Sequence, residues 1–255
     1  MKKYFYLPVL SVALIYSCGA EPTSDNPADS ESSEEKEVAQ TLDVELPDDP
    51  CELISKELVT THFDVSADEL EEDSYNREGI HWTESCSYKW KKENFEEINK
   101  ANQEKLLASM KKGSVKDAVK TGKEIEQPHK SVGVTNLRKF ESIEKAQTYF
   151  KNSHRKPSKE DMEKLDKEFE KQSDEKGLSE DQKETGKSLA GGIVDNMKFM
   201  DVEGIGDMAS WDDLGSKLDV LVGDVQFGVK VHTGEGVEKD IEKAKAVAAD
   251  ILKNF

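Results

Sequence analysis

The chain has 255 residues, is 35% hydrophobic and 35% charged, and carries a formal net charge of −18. Its length and apolar content allow one domain of ordinary size with additional polar helices. The negative charge repels phosphate backbones and acidic lipid surfaces, which argues against nucleic-acid binding and against adsorption to anionic membranes.

The first element is an export signal. Lys2 and Lys3 precede a short apolar run, Leu7 to Tyr16, and Ser17-Cys18-Gly19 follows. A basic start before an apolar core of this length reads as a secretory signal, too short to span a bilayer as a stable helix. It resembles the signal of bacterial lipoproteins, in which a Cys directly after the apolar run is acylated and becomes the first residue. Ile15, Ser17 and Cys18 match that pattern. The resemblance implies a fatty-acylated Cys18 and an anchor in the cell envelope, most simply the outer membrane. The alternative is ordinary cleavage near Ala20, which discards Cys18. Removing residues 1–17 takes away two Lys and no acid, so the charge moves from −18 to −20.

Residues 18–47 are rich in Glu, Asp, Ser and Pro, with almost no large apolar residue before Val38. This composition predicts a disordered, self-repelling tether. Cysteine usage fits export. The three Cys are 18, 51 and 86, and lipid on Cys18 leaves Cys51 and Cys86 as a pair in an oxidising compartment, the setting for a disulfide. No Cys-x-x-Cys spacing suggests redox chemistry.

A single α+β domain is expected over 48–255. Asp49-Pro50-Cys51-Glu52 carries helix-start signals, with Leu53, Ile54, Leu58 and Val59 as the apolar stripe. Ser66 to Glu69 reads as a second, shorter helix start. Ile80, Trp82, Cys86, Tyr88 and Trp90 alternate with smaller or polar residues, which predicts a strand with Cys86 on the apolar face. Glu84 interrupts that face, as a strand end or an acid in a ligand cleft. Residues 93–130 read as a helical insertion with Phe95, Ile98, Asn102, Leu106 and Met110 at helical spacing. A strand with Val132, Val134, Leu137 and Phe140 follows, with a bulge near Asn136 where alternation slips. Ser142 caps a helix bearing Ile143, Ala146, Tyr149 and Phe150. A second polar insertion, 158–197, holds helices started by Ser158 and by Ser179 with Gln182, the first ended by Gly177; these should cover an edge or rim of the sheet.

Residues 198–234 organise the domain. Gly204-Ile205-Gly206-Asp207 is a tight turn, and Met208 to Trp211 a strand. Leu218, Val220 and Val222 then alternate with polar neighbours, as do Val225, Phe227, Val229 and Val231. Only Gly223 and Asp224 separate the two runs, a hairpin signal. The implied register sets Val222 against Val225, Val220 against Phe227 and Leu218 against Val229, with Lys217 and Lys230 opposed and turned to water. A twisted antiparallel sheet of at least four strands follows, covered on one face by N- and C-terminal helices, with the two polar helical insertions at its margin. The last helix runs from Glu238 to Phe255.

Three pieces, Asp-Pro-Cys-Glu-Leu-Ile at 49–54, Cys-Ser-Tyr-Lys-Trp at 86–90 and Gly-Ile-Gly-Asp-Met-Ala-Ser-Trp at 204–211, resemble small secreted lipoprotein families of actinobacteria and related extracellular sensor-type domains. The resemblance implies a helix-covered antiparallel sheet and a Cys51–Cys86 bridge, and it supplies no activity and no catalytic residue. Gly204, Gly206, Asp207 and Trp211 stand as a structural turn motif, in which Asp207 can accept N–H bonds within the Gly206 turn. Trp82 and Trp90 are candidates for lining a ligand site, or for the core. Asp201, Glu203, Asp207, Asp212, Asp213 and Asp224 form an acidic rim that could bind a cation, or that reflects ordinary turn chemistry. No His pair has metal-ligand spacing, and neither a phosphate-binding loop nor a nucleophile elbow is present. The expectation is a non-catalytic, membrane-anchored envelope lipoprotein without cofactor or metal, whose domain meets an unknown envelope protein or small ligand. The alternatives are a carrier of a small apolar ligand and a metal-dependent hydrolase on the acidic rim.

Overall fold

A computed structural model describes residues 46–47, 49–75, 85–112 and 125–255. The strongest alternation in the chain builds its central hairpin. β6 (Lys217–Val222) and β7 (Val225–His232) pair antiparallel, with Val222 opposite Val225, Val220 opposite Phe227 and Leu218 opposite Val229. Gly223 takes the turn at a φ of 56°, where a Cβ would be strained. The remaining strands are β1 (Glu71–Tyr75), β2 (Ser85–Lys91), β3 (His129–Lys139), β4 (Phe199–Asp201) and β5 (Met208–Asp212). All seven form one antiparallel sheet in the order β1-β2-β3-β7-β6-β5-β4. Six α-helices accompany it among the described residues, and the fold is α+β.

The expected bulge lies in β3. Thr135 pairs with Gly228 and Arg138 with Gln226, so β3 carries one extra residue there. Asn136 takes a φ of 57°. The extra residue keeps Leu137 on the same apolar face as Val132 and Val134, which strict alternation would not.

One sheet face holds the main core. Tyr88, Trp90, Val132, Val134, Leu218, Val220, Phe227, Val229 and Trp211 pack there against residues of the N-terminal segment and of α6 (Val237–Ile251). α6 contributes Ala244, Val247, Ala248 and Ile251 at helical spacing. Burying a side chain such as Phe227 there stabilises the fold by about 1.5–3 kcal/mol.

The N-terminal segment departs from the single helix expected. Pro50–Leu53 is a 3-10 turn capped by Asp49, Ile54 is extended, and α1 (Lys56–His62) begins afresh with the Ser55 hydroxyl accepting from the Leu58 N–H. Ser55 caps a helix at its own position, so the chain restarts there and Ile54 drops into the core. Ser66–Glu69 forms a turn closed by the Glu69 carboxylate on Ser66, not a helix, and leads into the exposed edge strand β1.

Nor does the domain pack on one face only. α3 (Ile143–Ser153), capped by Ser142, lies on the second face, where Ala146 and Phe150 meet Leu221. α2 (Phe95–Lys112) holds Phe95 edge-on to His129 and buries Ile98, while its Leu106 stays exposed. α4 (Lys159–Glu175) and α5 (Glu180–Asn196) each start with a full capping box, from Ser158 and Asp161 and from Ser179 and Gln182. They pack on each other. Gly186 leaves room for the Phe169 ring, and Lys183–Asp174 and Lys187–Glu170 pair across the two helices. α5 buries no residue, and its Leu189 and Ile193 are exposed.

Candidate functional site

The second face of the sheet carries a polar row. Ser210 of β5, Asp219 of β6, Gly228 of β7 and Thr135 of β3 stand side by side across four strands. Asp219 is 2% exposed. Burying a lone carboxylate is costly, so it needs partners. It has three. The His154 ring lies 2.8 Å away through Nε2, Lys217 Nζ is at 2.9 Å, and Asn136 Nδ2 is at 3.5 Å. The local fold places each. The β3 bulge carries Asn136, Lys217 shares a strand face with Asp219 two residues on, and His154 is the residue that ends α3. Gly228 matters by what it lacks, since a Cβ there would lie 2.9 Å from Asp219 Oδ1 and 3.0 Å from Lys217 Cδ. Lys217 therefore turns to Asp219, not to water as its pairing with Lys230 suggested.

Burial opposes ionisation of Asp219, but the His154 hydrogen bond and the Lys217 charge outweigh it, and the carboxyl is held below its usual range. His154 Nδ1 lies 2.8 Å from the Phe150 carbonyl oxygen. A carbonyl and a carboxylate only accept, so both ring contacts are hydrogen bonds together when both nitrogens carry protons. The ring also stacks on Phe150 at 4.1 Å and meets Phe199 edge-on at 5.6 Å. Both nitrogens and the ring face of His154 are thus engaged by neighbours, which holds the side chain in place.

Beside this group lies a cleft of about 480 Å³, lined by His154, Arg155 and Lys156 on one side and by Met197, Lys198, Phe199 and Met200 on the other. Its walls are mostly apolar. The Arg155 guanidinium donates to Asp161 at 2.7 Å. That bond, with those from the Ser158 N–H and hydroxyl, holds the Asp161 carboxyl well below its usual range. A site with mostly apolar walls and basic side chains among its lining can take a ligand that is apolar along its length and negative at one end.

The residues singled out in the sequence are placed as follows. Cys51 and Cys86 form a disulfide, with Cα atoms 5.0 Å apart, tying the N-terminal turn to β2. Gly204 and Gly206 both have positive φ, and a Cβ on Gly206 would lie 2.6 Å from the Leu221 carbonyl oxygen. Asp207 does not accept within the Gly206 turn. Its Oδ2 accepts from the Gly223 N–H at 2.6 Å and so locks the β6–β7 hairpin turn. Trp211 is buried, and its Nε1 has no hydrogen-bond partner among the described residues. Trp90 is a core residue packed edge-on to Phe63 at 5.3 Å, which removes it from any ligand wall. Cys18, Trp82 and Glu84 lie outside the described residues. The acidic rim does not converge, since no group of three or more His, Cys, Asp and Glu side chains is placed to hold a metal ion among the described residues.

His154 and Asp219 escaped the sequence reading. One looked like a surface His after a helix and the other like the solvent side of a strand. The available signal was Gly228, a glycine inside a strongly alternating strand and directly opposite Asp219, which marks a close approach. No family model, curated protein or solved structure matches the chain.

Proposed function

We propose that the protein is a non-catalytic envelope lipoprotein, anchored by an acylated Cys18 in the outer membrane and presenting its α+β domain on an acidic tether to a ligand or partner protein. The observation that carries the binding role is the cleft between His154–Lys156 and Met197–Met200, where basic and apolar side chains gather in a chain of net charge −18. The bridge between Cys51 and Cys86 supports export to an oxidising compartment. The signal of residues 1–18 supports the anchor, and the net negative charge speaks against a nucleic-acid partner. Replacing Cys18 with Ser tests the anchor. The variant should leave the membrane fraction, and a protein that fractionates as before rejects the reading.

A further inference from the structure

The apolar part of the cleft does not stop at its wall. Leu189 and Ile193 of α5 and Met197, the residue that caps its C-terminus, follow one another at intervals of four, and the Met197 N–H still bonds the Ile193 carbonyl, so the three lie along one side of the helix. Leu189 and Ile193 are each 45% exposed, and Met200 of the edge strand is 38% exposed. From Leu189 to Met197 this stripe spans about 12 Å at ~1.5 Å per residue. One end is apolar and open. The other reaches the cleft, whose lining includes Lys156 and Lys198. Neither lysine ammonium is held in an ion pair among the described residues, whereas the Arg155 guanidinium is bonded to Asp161. The charge is thus concentrated at one end of an apolar track.

We infer that the cleft and the α5 stripe together bind a free fatty carboxylate, its head between Lys156 and Lys198 and its chain along Met197, Ile193 and Leu189. This deepens the binding-module reading and rests on it. A hydrocarbon chain fits the track better than a peptide does. The backbone of α5 is already paired, so a peptide laid along the stripe would find amide partners only at the β4 edge, three residues long, and unpaired amides are costly to bury. A hydrocarbon asks only for apolar contact. Lysine ammonium groups act as point charges and accept a carboxylate without demanding bidentate geometry.

The test is calorimetric titration of decanoate, below its micelle concentration, into the mature exported chain carrying Cys18→Ser, so that no acyl chain of its own competes. Decylammonium and decanol are the comparison ligands. Saturable binding of one decanoate is expected, with both comparison ligands at least about tenfold weaker. Lys198→Glu and Ile193→Asp should each weaken decanoate at least about tenfold with an unchanged melting curve, because both side chains lie at the surface. Met200→Glu is the substitute should either variant melt early. Absence of saturable binding, equal binding of decylammonium, indifference to the variants, or binding to phosphatidylglycerol vesicles in place of decanoate would each overturn the proposal. Retention of Cys18-bearing protein in the membrane fraction is read separately, so failure of the ligand class and failure of the anchor are distinguishable.

Discussion

Asp219 is the most deeply buried carboxylate among the described residues. Its carboxylate is buried in the second sheet face and is balanced by His154, Lys217 and Asn136. Removing one member of such a set leaves the others buried and unpaired, so Asp219→Asn should destabilise the domain by roughly 3–5 kcal/mol in urea unfolding at neutral pH. The sign with pH follows from the lowered carboxyl. A group whose folded value lies below its unfolded value stabilises the fold above the unfolded value, about 3.9 for Asp, and that stabilisation fades as pH falls through the folded value. The gap between the native chain and Asp219→Asn should therefore be widest near neutrality and close in acid below about pH 4. A gap that stays constant into acid would mean that Asp219 acts through shape alone. None of this was legible from residues 154 and 219 taken singly. The pair joins a helix end to a strand 65 residues away, and each partner has an ordinary solvent-facing reading where it stands.

At the scale of elements, legibility tracked how local the determining physics is. The β6–β7 register and the β3 bulge follow from alternation and from a glycine turn, and both are set by near neighbours. The edge strand β1 and the covering of the second sheet face depend on what packs from afar, whereas the restart at Ser55 is a local cap that the Asp49-Pro50 start signal overshadowed. The disulfide lies between these cases, since the pairing was implied by cysteine number and its geometry by the strand that carries Cys86. It closes a loop across a sequence separation of 35, for which the chain-entropy account gives about 4 kcal/mol. Reduction, or Cys51→Ala with Cys86→Ala, should lower the free energy of unfolding by about that much and loosen the Pro50–Leu53 turn from β2 before the β5–β6–β7 strands open. Hydrogen exchange at Glu52 and Leu53 against Val220 and Val229 would separate this local effect from a uniform loss.

The whole molecule is set by its charge. Fifty-four acidic side chains face thirty-six basic ones across the chain, and a surface so unbalanced repels itself when compact. Salt acts on two opposed terms. It screens the long-range repulsion, and it also weakens ion pairs such as Lys145–Glu141, Lys164–Glu160 and Lys239–Glu235. Those pairs are exposed and lie within single helices or at their ends, where each contributes at most a few tenths of a kcal/mol. The buried Asp219 group is screened far less, because solvent ions do not reach it. The repulsive term therefore dominates the response. Raising NaCl from about 0.02 M to about 0.5 M, which shortens the screening length to a few ångströms, should raise the melting temperature by a few degrees. Differential scanning calorimetry across that range decides the matter. A falling melting temperature would mean that the surface pairs, taken as a network, hold the fold more strongly than the excess of acids opposes it.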